Sequence, residues 1–418
     1  MAGILVGAKS IFARPESIRP ERRKSGGYGI RPYGRRAVLQ FKSLRRSKVL
    51  DTDLPQRRIG ILTSGGDAPG MNAAVGVVGR AAARRKMTLV GIKRGYNGLL
   101  FTDATKDDFI EELRLETILD IADQPGTYLR TARSKEFMLP EYRQKAADNV
   151  RALGLDGLVI IGGDGSFKGA LDLCRLGIPC ITIPGTIDND LNYTDMTLGF
   201  DTAVNCCADA IRSIRATSRS HCRPAVVEVM GRHCGDIALR AAACTGSEIV
   251  LAPEMPWSVD QVADRLNYQI AKGNLRVTVV VAEGAYRDSM EPFDVYGFLH
   301  NFPGAPKACY PDEPMTAVRL ASILKRKCGM AEARATVLGY VQRGNQPTAY
   351  DAAFACEAAN LAVKLMSENL AKLDAGEPIE HYAVGVRRGK ISYLPIEEAL
   401  QKKQKFNKRL YKIINNQE

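Results

Sequence analysis

Histidine is scarce in this sequence: four occur in 418 residues, at positions 221, 233, 300 and 381. None stands at metal-ligand spacing from another, which argues against a zinc centre or a histidine-based nucleophilic triad. Ten cysteines are present, yet none forms a CxxC pair, and the closest are the adjacent Cys206 and Cys207. Most lie in apolar or helical runs, as Cys174, Cys180 and Cys356 do. They read as buried free thiols of a reducing, cytoplasmic compartment. No apolar run approaches the roughly 20 residues of a membrane helix, so no spanning segment is expected. Neither a Walker A loop nor the GxGxxG fingerprint occurs. Net charge is sparse outside one segment. Residues 1–50 hold 13 Lys and Arg against Glu16 and Glu21, a net of +11 out of +13, which leaves +2 for the other 368 residues. The basicity belongs to the leader, so it says little about a ligand of the body. The body also lacks the basic clusters with interleaved aromatics that single-strand binders use.

What is present is a long, ordinary globular composition, 45% hydrophobic and 25% charged. Its length suits two domains. Residues 1–55 are rich in Arg, Pro and Gly without a sustained period, and read as a basic, poorly ordered arm. They show no clear amphipathic helix of the kind a transit peptide carries. From residue 57 the pattern becomes regular. Short β-branched runs such as "RRIGILTS", "DGLVIIGG", "IPCITIPG", "RPAVVEVMG" and "RVTVVVAEG" alternate with helical segments. Alternation of this kind predicts parallel sheets covered by helices on both faces. The stretch 293–314 has four prolines, two glycines and no period. It reads as a surface loop or insertion.

Three predicted strand ends share one grammar, an apolar run, then glycine, then a carboxylate. They are Thr63-Ser64-Gly65-Gly66-Asp67, Gly162-Gly163-Asp164-Gly165-Ser166 and Pro184-Gly185-Thr186-Ile187-Asp188-Asn189-Asp190. Ligands of doubly wound sheets bind beyond the carboxyl ends of strands, so the three loops are expected to converge. Glycines let backbone N–H groups approach an anion, and a following helix N-terminus adds a favourable dipole. Asp164 beside such a cradle calls for a cation, and Mg²⁺ suits a lone carboxylate with water and phosphate completing its shell. Asp188 or Asp190 can take a proton from an attacking hydroxyl while Thr186 helps to hold a phosphate. Each loop alone also has a plain structural reading: a tight turn, a helix cap or an Asx turn. Arg133, Arg223, Arg232, Arg334 and Arg343 stand beside glycines and strand ends. Guanidinium forks there suit the charge that phosphoryl transfer places on equatorial oxygens.

In order, "TSGGDAPGMNA", "GTYLRTAR", "IIGGDGS", "PGTIDND", "VEVMGR", "AEG" and "RATVLGYVQRG" resemble the 6-phosphofructokinase family. The resemblance runs from about residue 57 to the C-terminus, interrupted at 293–314. It implies an α/β fold of two Rossmann-like three-layer α/β/α domains with mostly parallel sheets. The nucleotide domain would comprise 56–199 with 343–390, and the sugar-phosphate domain 200–342 with 391–418. It implies Mg-dependent transfer from ATP to the C1 hydroxyl of fructose 6-phosphate. Gly65, Gly66, Tyr96, Arg133, Ser134, Asp164, Gly165 and Ser166 fall at nucleotide positions, with Asp164 at the metal. Asp188 matches the base, Asp190 its acidic neighbour and Thr186 a sugar contact; Arg232 joins this catalytic group. Met230, Gly231, Arg232 and Glu283 match sugar contacts, and Arg223, Arg334 and Arg343 match ligands of the sugar phosphate. In the family Arg223 and Arg334 are supplied by a neighbouring subunit, which makes a dimer the least working assembly and a homotetramer the usual one.

The same resemblance bears on the phosphoryl donor. Family members that use pyrophosphate commonly carry Asp at the position of Gly165 and Lys at that of Gly185. Glycine at both favours ATP, whereas Tyr340, in place of a frequent His, also occurs in pyrophosphate users. Of the effector-site positions of bacterial members, Arg215, Glu248 and Lys272 match, while Gly76 and Asn274 replace basic residues. The alternatives are a pyrophosphate-dependent enzyme, a nucleic-acid binder acting through the arm, and a non-catalytic paralogue, the last opposed by intact Asp164, Thr186 and Asp188. No nucleic-acid or membrane partner is expected.

Overall fold

The computed structural model describes residues 57–100, 109–274, 276–288, 315–330, 332–402 and 406–416. The expected arm at 1–55 and the expected insertion at 293–314 lie outside these residues. The strands are β1 (Arg58–Ser64), β2 (Thr88–Ile92), β3 (Ile110–Glu112), β4 (Gly157–Gly162), β5 (Cys180–Pro184) and β6 (Ala225–Val229). They continue with β7 (Ile249–Leu251), β8 (Thr278–Ala282), β9 (Arg334–Val337), β10 (Tyr382–Arg387) and β11 (Lys390–Pro395). The described helices of seven or more residues begin with α1 (Met71–Arg84), α2 (Leu115–Ile121), α3 (Pro140–Ala152), α4 (Asp164–Arg175) and α5 (Phe200–His221). They end with α6 (Asp236–Thr245), α7 (Val259–Ala271), α8 (Ala317–Lys327), α9 (Ala349–Asp374) and α10 (Lys408–Ile414).

Among the described residues the strands form two sheets, as the alternation of strands and helices predicts. The larger has the order β11-β10-β5-β4-β1-β2-β3, and the smaller β7-β8-β6-β9. All neighbours are parallel except the edge pairs β10–β11 and β2–β3. In β4 every residue is buried. Leu158 and Ile160 enter one core with residues of α3 and α4, whereas Val159 and Ile161 enter another with α1 and α9. A strand with period-two side chains and helices on both faces must be apolar throughout, which is why it reads as a continuous run. The smaller sheet repeats this in β8, where Val280 and Val281 face different cores. Among the described residues no helix is long and apolar enough to cross a membrane.

The chain steps from β1 to β2 on one side of the larger sheet and later adds β4, β5 and β10 on the other. Strand order therefore reverses between β1 and β4, where a crevice opens at the carboxyl ends. Ser64 pairs with Gly162, and Gly162 with Pro184. The three glycine-and-carboxylate loops thus leave the sheet at one level, side by side. One grouping expected from the resemblance needs correction. Residues 391–395 lie in β11 against β10 and belong to the larger sheet, not with 200–342. An edge strand carries no local mark of the sheet it joins; its place follows from the short hairpin that ties it to β10.

Candidate active site

The reversal point opens into a cavity of about 780 Å³. Its lining takes Gly65 and Gly66 from the first loop, Asp164, Gly165 and Ser166 from the second, and Gly185, Thr186, Asp188 and Asp190 from the third. Tyr96, Arg133 and Ser134 complete that wall. A second cavity of about 560 Å³ holds Met230 and Tyr340. Gly66, Arg133, Arg232, Glu283 and Arg343 line both. The structure therefore brings together the positions expected for nucleotide, for proton transfer and for most of the sugar contacts.

Local packing explains the glycines. A Cβ on Gly162 would lie 2.6 Å from the Ser64 carbonyl oxygen and 2.4 Å from Ser166 Oγ. Only glycine lets the ends of β1 and β4 come this close. Gly65 adopts φ +92°, in the left-handed region that favours glycine. On the smaller sheet Val229 pairs with Ala282, so the loops carrying Arg232 and Glu283 leave together. The Glu283 amide donates to the Val229 carbonyl at 2.9 Å. The two halves meet through Arg343, whose Nη1 donates to the Asp67 carbonyl at 2.6 Å. They meet again through Asn189, whose Nδ2 donates to Asp236 Oδ2 at 3.1 Å.

Charge in the cleft follows from burial. Burial pushes the Asp188 carboxyl above the ordinary range, with Arg343, Arg133 and His233 pulling the other way. Asp190 is pushed up to about 6 by burial and by the neighbouring Asp188. Its Oδ1 is buried without a hydrogen-bond partner. The Asp188 amide donates to Thr186 Oγ1 at 3.2 Å, which turns the loop back on itself. Asp164 pairs with Lys168 at 2.6 Å, one turn along α4. Tyr96 is buried, stacks on Phe137 at 4.0 Å between centroids, and donates its hydroxyl to the Ser166 carbonyl at 2.5 Å. It therefore shapes the wall through its ring. Among the described residues no three His, Cys, Asp or Glu side chains are grouped to hold a metal by themselves. A cation here would rest on one or two carboxylates plus water and phosphate, which is the habit of Mg²⁺.

The sequence matches the family described as phosphofructokinase over residues 58–366. The chain belongs to the phosphofructokinase family. It is 41% identical over 357 residues to the ATP-dependent 6-phosphofructokinase of Paenibacillus macquariensis, spanning 85% of this chain and 97% of that one. The enzyme of the same name from Clostridium tetani (strain Massachusetts / E88) is 42% identical, spanning 85% and 98%. Among solved structures, Pichia pastoris phosphofructokinase in the T-state superposes with a TM-score of 0.69 at 30% identity. It covers 83% of this chain and 38% of that longer one.

Two phosphofructokinase positions stand apart from the cleft. Arg223 precedes β6, and Arg334 opens β9 opposite Ala225, so both lie at the amino ends of their strands. Arg232 follows the carboxyl end of β6. At about 3.3 Å per residue, the two ends of β6 are roughly 15 Å apart. Neither Arg223 nor Arg334 lines either cavity. Both pair with Glu332, Arg223 at 2.7 Å. The effector-site positions are also engaged. Arg215 and Glu248 form a buried two-pronged pair at 2.8 and 2.9 Å, and Asn274 Nδ2 donates to the same carboxylate at 2.8 Å. A Cβ on Gly76 would meet the Ile118 carbonyl oxygen at 3.1 Å, because α2 packs close there.

Three residues that sequence reasoning passed over support the site. Asn189 sits at φ +55°, accepts from the Thr197 amide at 3.0 Å and donates to Asp236. Gln342, fully buried, accepts from the Met230 amide at 3.1 Å and donates to the Gly339 carbonyl at 2.9 Å. Asp351, also fully buried, accepts from the Gly199 and Thr202 amides at 2.9 and 2.8 Å and anchors the start of α5. The available signals were an asparagine between two aspartates and polar letters inside apolar patterns.

Proposed function

We propose that the chain is an ATP-dependent 6-phosphofructokinase. It transfers the terminal phosphoryl group of ATP to the C1 hydroxyl of fructose 6-phosphate, releasing fructose 1,6-bisphosphate and ADP in glycolysis. The observation that carries this reading is Asp188, a carboxylate of raised proton affinity where the two cavities' shared arginines converge. The larger sheet's loops, with Gly65, Gly66, Tyr96, Arg133, Ser134, Asp164, Gly165 and Ser166, take the nucleotide. Thr186, Met230, Gly231, Arg232, Glu283, Tyr340 and Arg343 take the sugar phosphate. Asp188 accepts the proton as the C1 oxygen attacks in line. Arg232 and Arg133 face the same space and balance the charge on the transferring group. Asp164 is the residue suited to Mg²⁺, and the unpartnered Asp190 oxygen in the same cavity fits a nearby cation. When bound, Mg²⁺ supplies charge neutralisation at the phosphates.

ATP as donor is supported by two glycines. A side chain at Gly165 would start in open cavity space, where a nucleotide's extra bulk must fit. A side chain at Gly185 would begin against Ile161 Cγ2 at 2.7 Å and Met71 Cε at 3.0 Å, so this backbone is built for glycine. Arg223 and Arg334 act on the sugar phosphate of a second copy, since their own cleft lies at the other end of the sheet. The functional unit is therefore at least a dimer. A cytoplasmic location is supported by nine free cysteines among the described residues.

A two-donor assay with fructose 6-phosphate and Mg²⁺ tests the reading. Turnover with ATP and little with pyrophosphate is expected; robust turnover with pyrophosphate alone overturns the donor assignment. Asp188→Ser should lower turnover by about three to five orders of magnitude, with sugar affinity changed far less, because the arginines remain. Unchanged turnover removes Asp188 from the mechanism.

A further inference from the structure

The sequence sets two cysteines side by side, and neither lines the cleft. Cys206 and Cys207 lie in the second turn of α5. Cys206 Sγ donates to the Val341 carbonyl at 3.3 Å, and Cys207 Sγ donates to Gln342 Oε1 at 3.1 Å. Successive residues of one helix thus hold successive residues of a short 3₁₀ turn, Gly339–Gln342. Burial pushes the Cys207 thiol above its ordinary value, so it keeps the proton that it donates.

Gln342 stands where a strand pairing stops. β6 and β9 pair as far as Glu228 and Val337, and the Leu338 amide adds a bond to the Glu228 carbonyl at 3.0 Å. A parallel ladder would next join the Met230 amide to the Leu338 carbonyl. Leu338 instead takes helical angles, φ −76° and ψ −32°, and Gly339 follows at φ +52°. The chain leaves the sheet, and the Met230 amide needs another acceptor. Gln342 Oε1 takes that place at 3.1 Å, while Nε2 donates to the Gly339 carbonyl at 2.9 Å. With the Cys207 thiol also on Oε1, both ends of the side-chain amide are engaged, and the residue is fully buried.

This amide joins the two segments that build the smaller cavity. Met230 and Arg232 come from the loop after β6, and Tyr340 and Arg343 from the turn and the residue after it. Met230 and Tyr340 line that cavity and not the larger one. We propose that Gln342 is a positioning residue for the sugar phosphate, fixing the Met230 loop against the turn that carries Tyr340 and leads to Arg343, with the Cys207 thiol holding it from α5. The inference rests on the assignment of the smaller cavity to fructose 6-phosphate. Gln342 acts through Met230, Tyr340 and Arg343, so its loss weakens the sugar phosphate and spares the nucleotide.

Steady-state kinetics of the full-length enzyme, with each substrate varied in turn, test this. Gln342→Met keeps a similar volume but removes both polar ends and leaves the Met230 amide without its acceptor. It should raise KM for fructose 6-phosphate about tenfold, with KM for ATP changed by less than about twofold. Cys207→Ala is milder: it removes one donor and leaves the two bonds to backbone. It should move the same constant about threefold in the same direction, and it carries the test if Gln342→Met does not fold. A KM for fructose 6-phosphate that stays unchanged in the folded variants, or rises equally with that for ATP, overturns the role of Gln342. A parent enzyme that does not turn over fructose 6-phosphate overturns the assignment of the cavity, and the inference with it.

Discussion

Asp190 holds a buried carboxyl oxygen without a partner and sits beside a second carboxylate. Its pKa is raised from 3.8 to about 6, mainly by burial and then by Asp188. The sign follows. A raised carboxyl pKa gives stability that is fully present below pH 3.8 and lost as pH rises through about 6. A shift of roughly two units corresponds to about 3 kcal/mol removed by pH 8. Asp190→Asn cannot ionise, so it should match the parent in thermal stability near pH 4 and exceed it increasingly up to pH 8. A melting-temperature difference that does not grow over this window contradicts the assignment. Asn189 offers a second residue-scale test. Its φ of +55° alone would be satisfied by glycine, whereas its bonds to Thr197 and Asp236 would not. Asn189→Gly should lose turnover about as Asn189→Ala does, on the order of tenfold to a hundredfold; full activity in the glycine variant would mean that only the turn matters. Asp188 and Asp190 were legible in the sequence because carboxylates after a glycine-ended strand announce themselves. Asn189 was not, because its partners lie 8 and 47 residues away.

At the scale of elements, what the sequence made readable was the set of strand ends. β1, β4 and β5 each run out into glycine after a buried run, at Gly65, Gly163 and Gly185, and those ends proved to be neighbours in register. Their order in the sheet was not readable, since each run is equally apolar on both faces. The β10–β11 hairpin shows the same limit: residues 391–395 alternate as an edge strand does anywhere. The loops' two donor-side glycines, similar as letters, differ as elements. A Cβ on Gly165 meets nothing within 4 Å, while one on Gly185 meets Ile161 and Met71. Gly165→Asp should therefore leave the melting temperature nearly unchanged and raise KM for ATP at least about tenfold. Gly185→Ala should cost about 1–3 kcal/mol by overpacking, read by urea denaturation. Equal stability losses in the two variants would contradict this difference between the loops.

For the whole molecule, the decisive fact is that Arg223 and Arg334 sit at the far end of the smaller sheet from the cleft. Their shared partner Glu332 is held below the ordinary carboxyl range by Arg223 and Arg334, and its carboxylate pairs with both guanidinium groups at this site. A monomer cannot bring that site to its own Asp188. If the pair completes the cleft of another copy, the two halves of the machinery can be broken on different chains and recombined. Asp188→Ser keeps the arginines but lacks the base; Arg223→Gln with Arg334→Gln keeps the base but lacks the arginines. Each variant alone should be nearly inactive. Co-refolded in equal amounts, about half of random dimers are mixed, and each mixed dimer has one intact site of two. About a quarter of parental turnover should return. Recovery depends on exchange, so mixing the folded variants without refolding should give less. Absence of recovery after refolding, with mixed oligomers shown by mass, would confine both arginines to a role within their own chain.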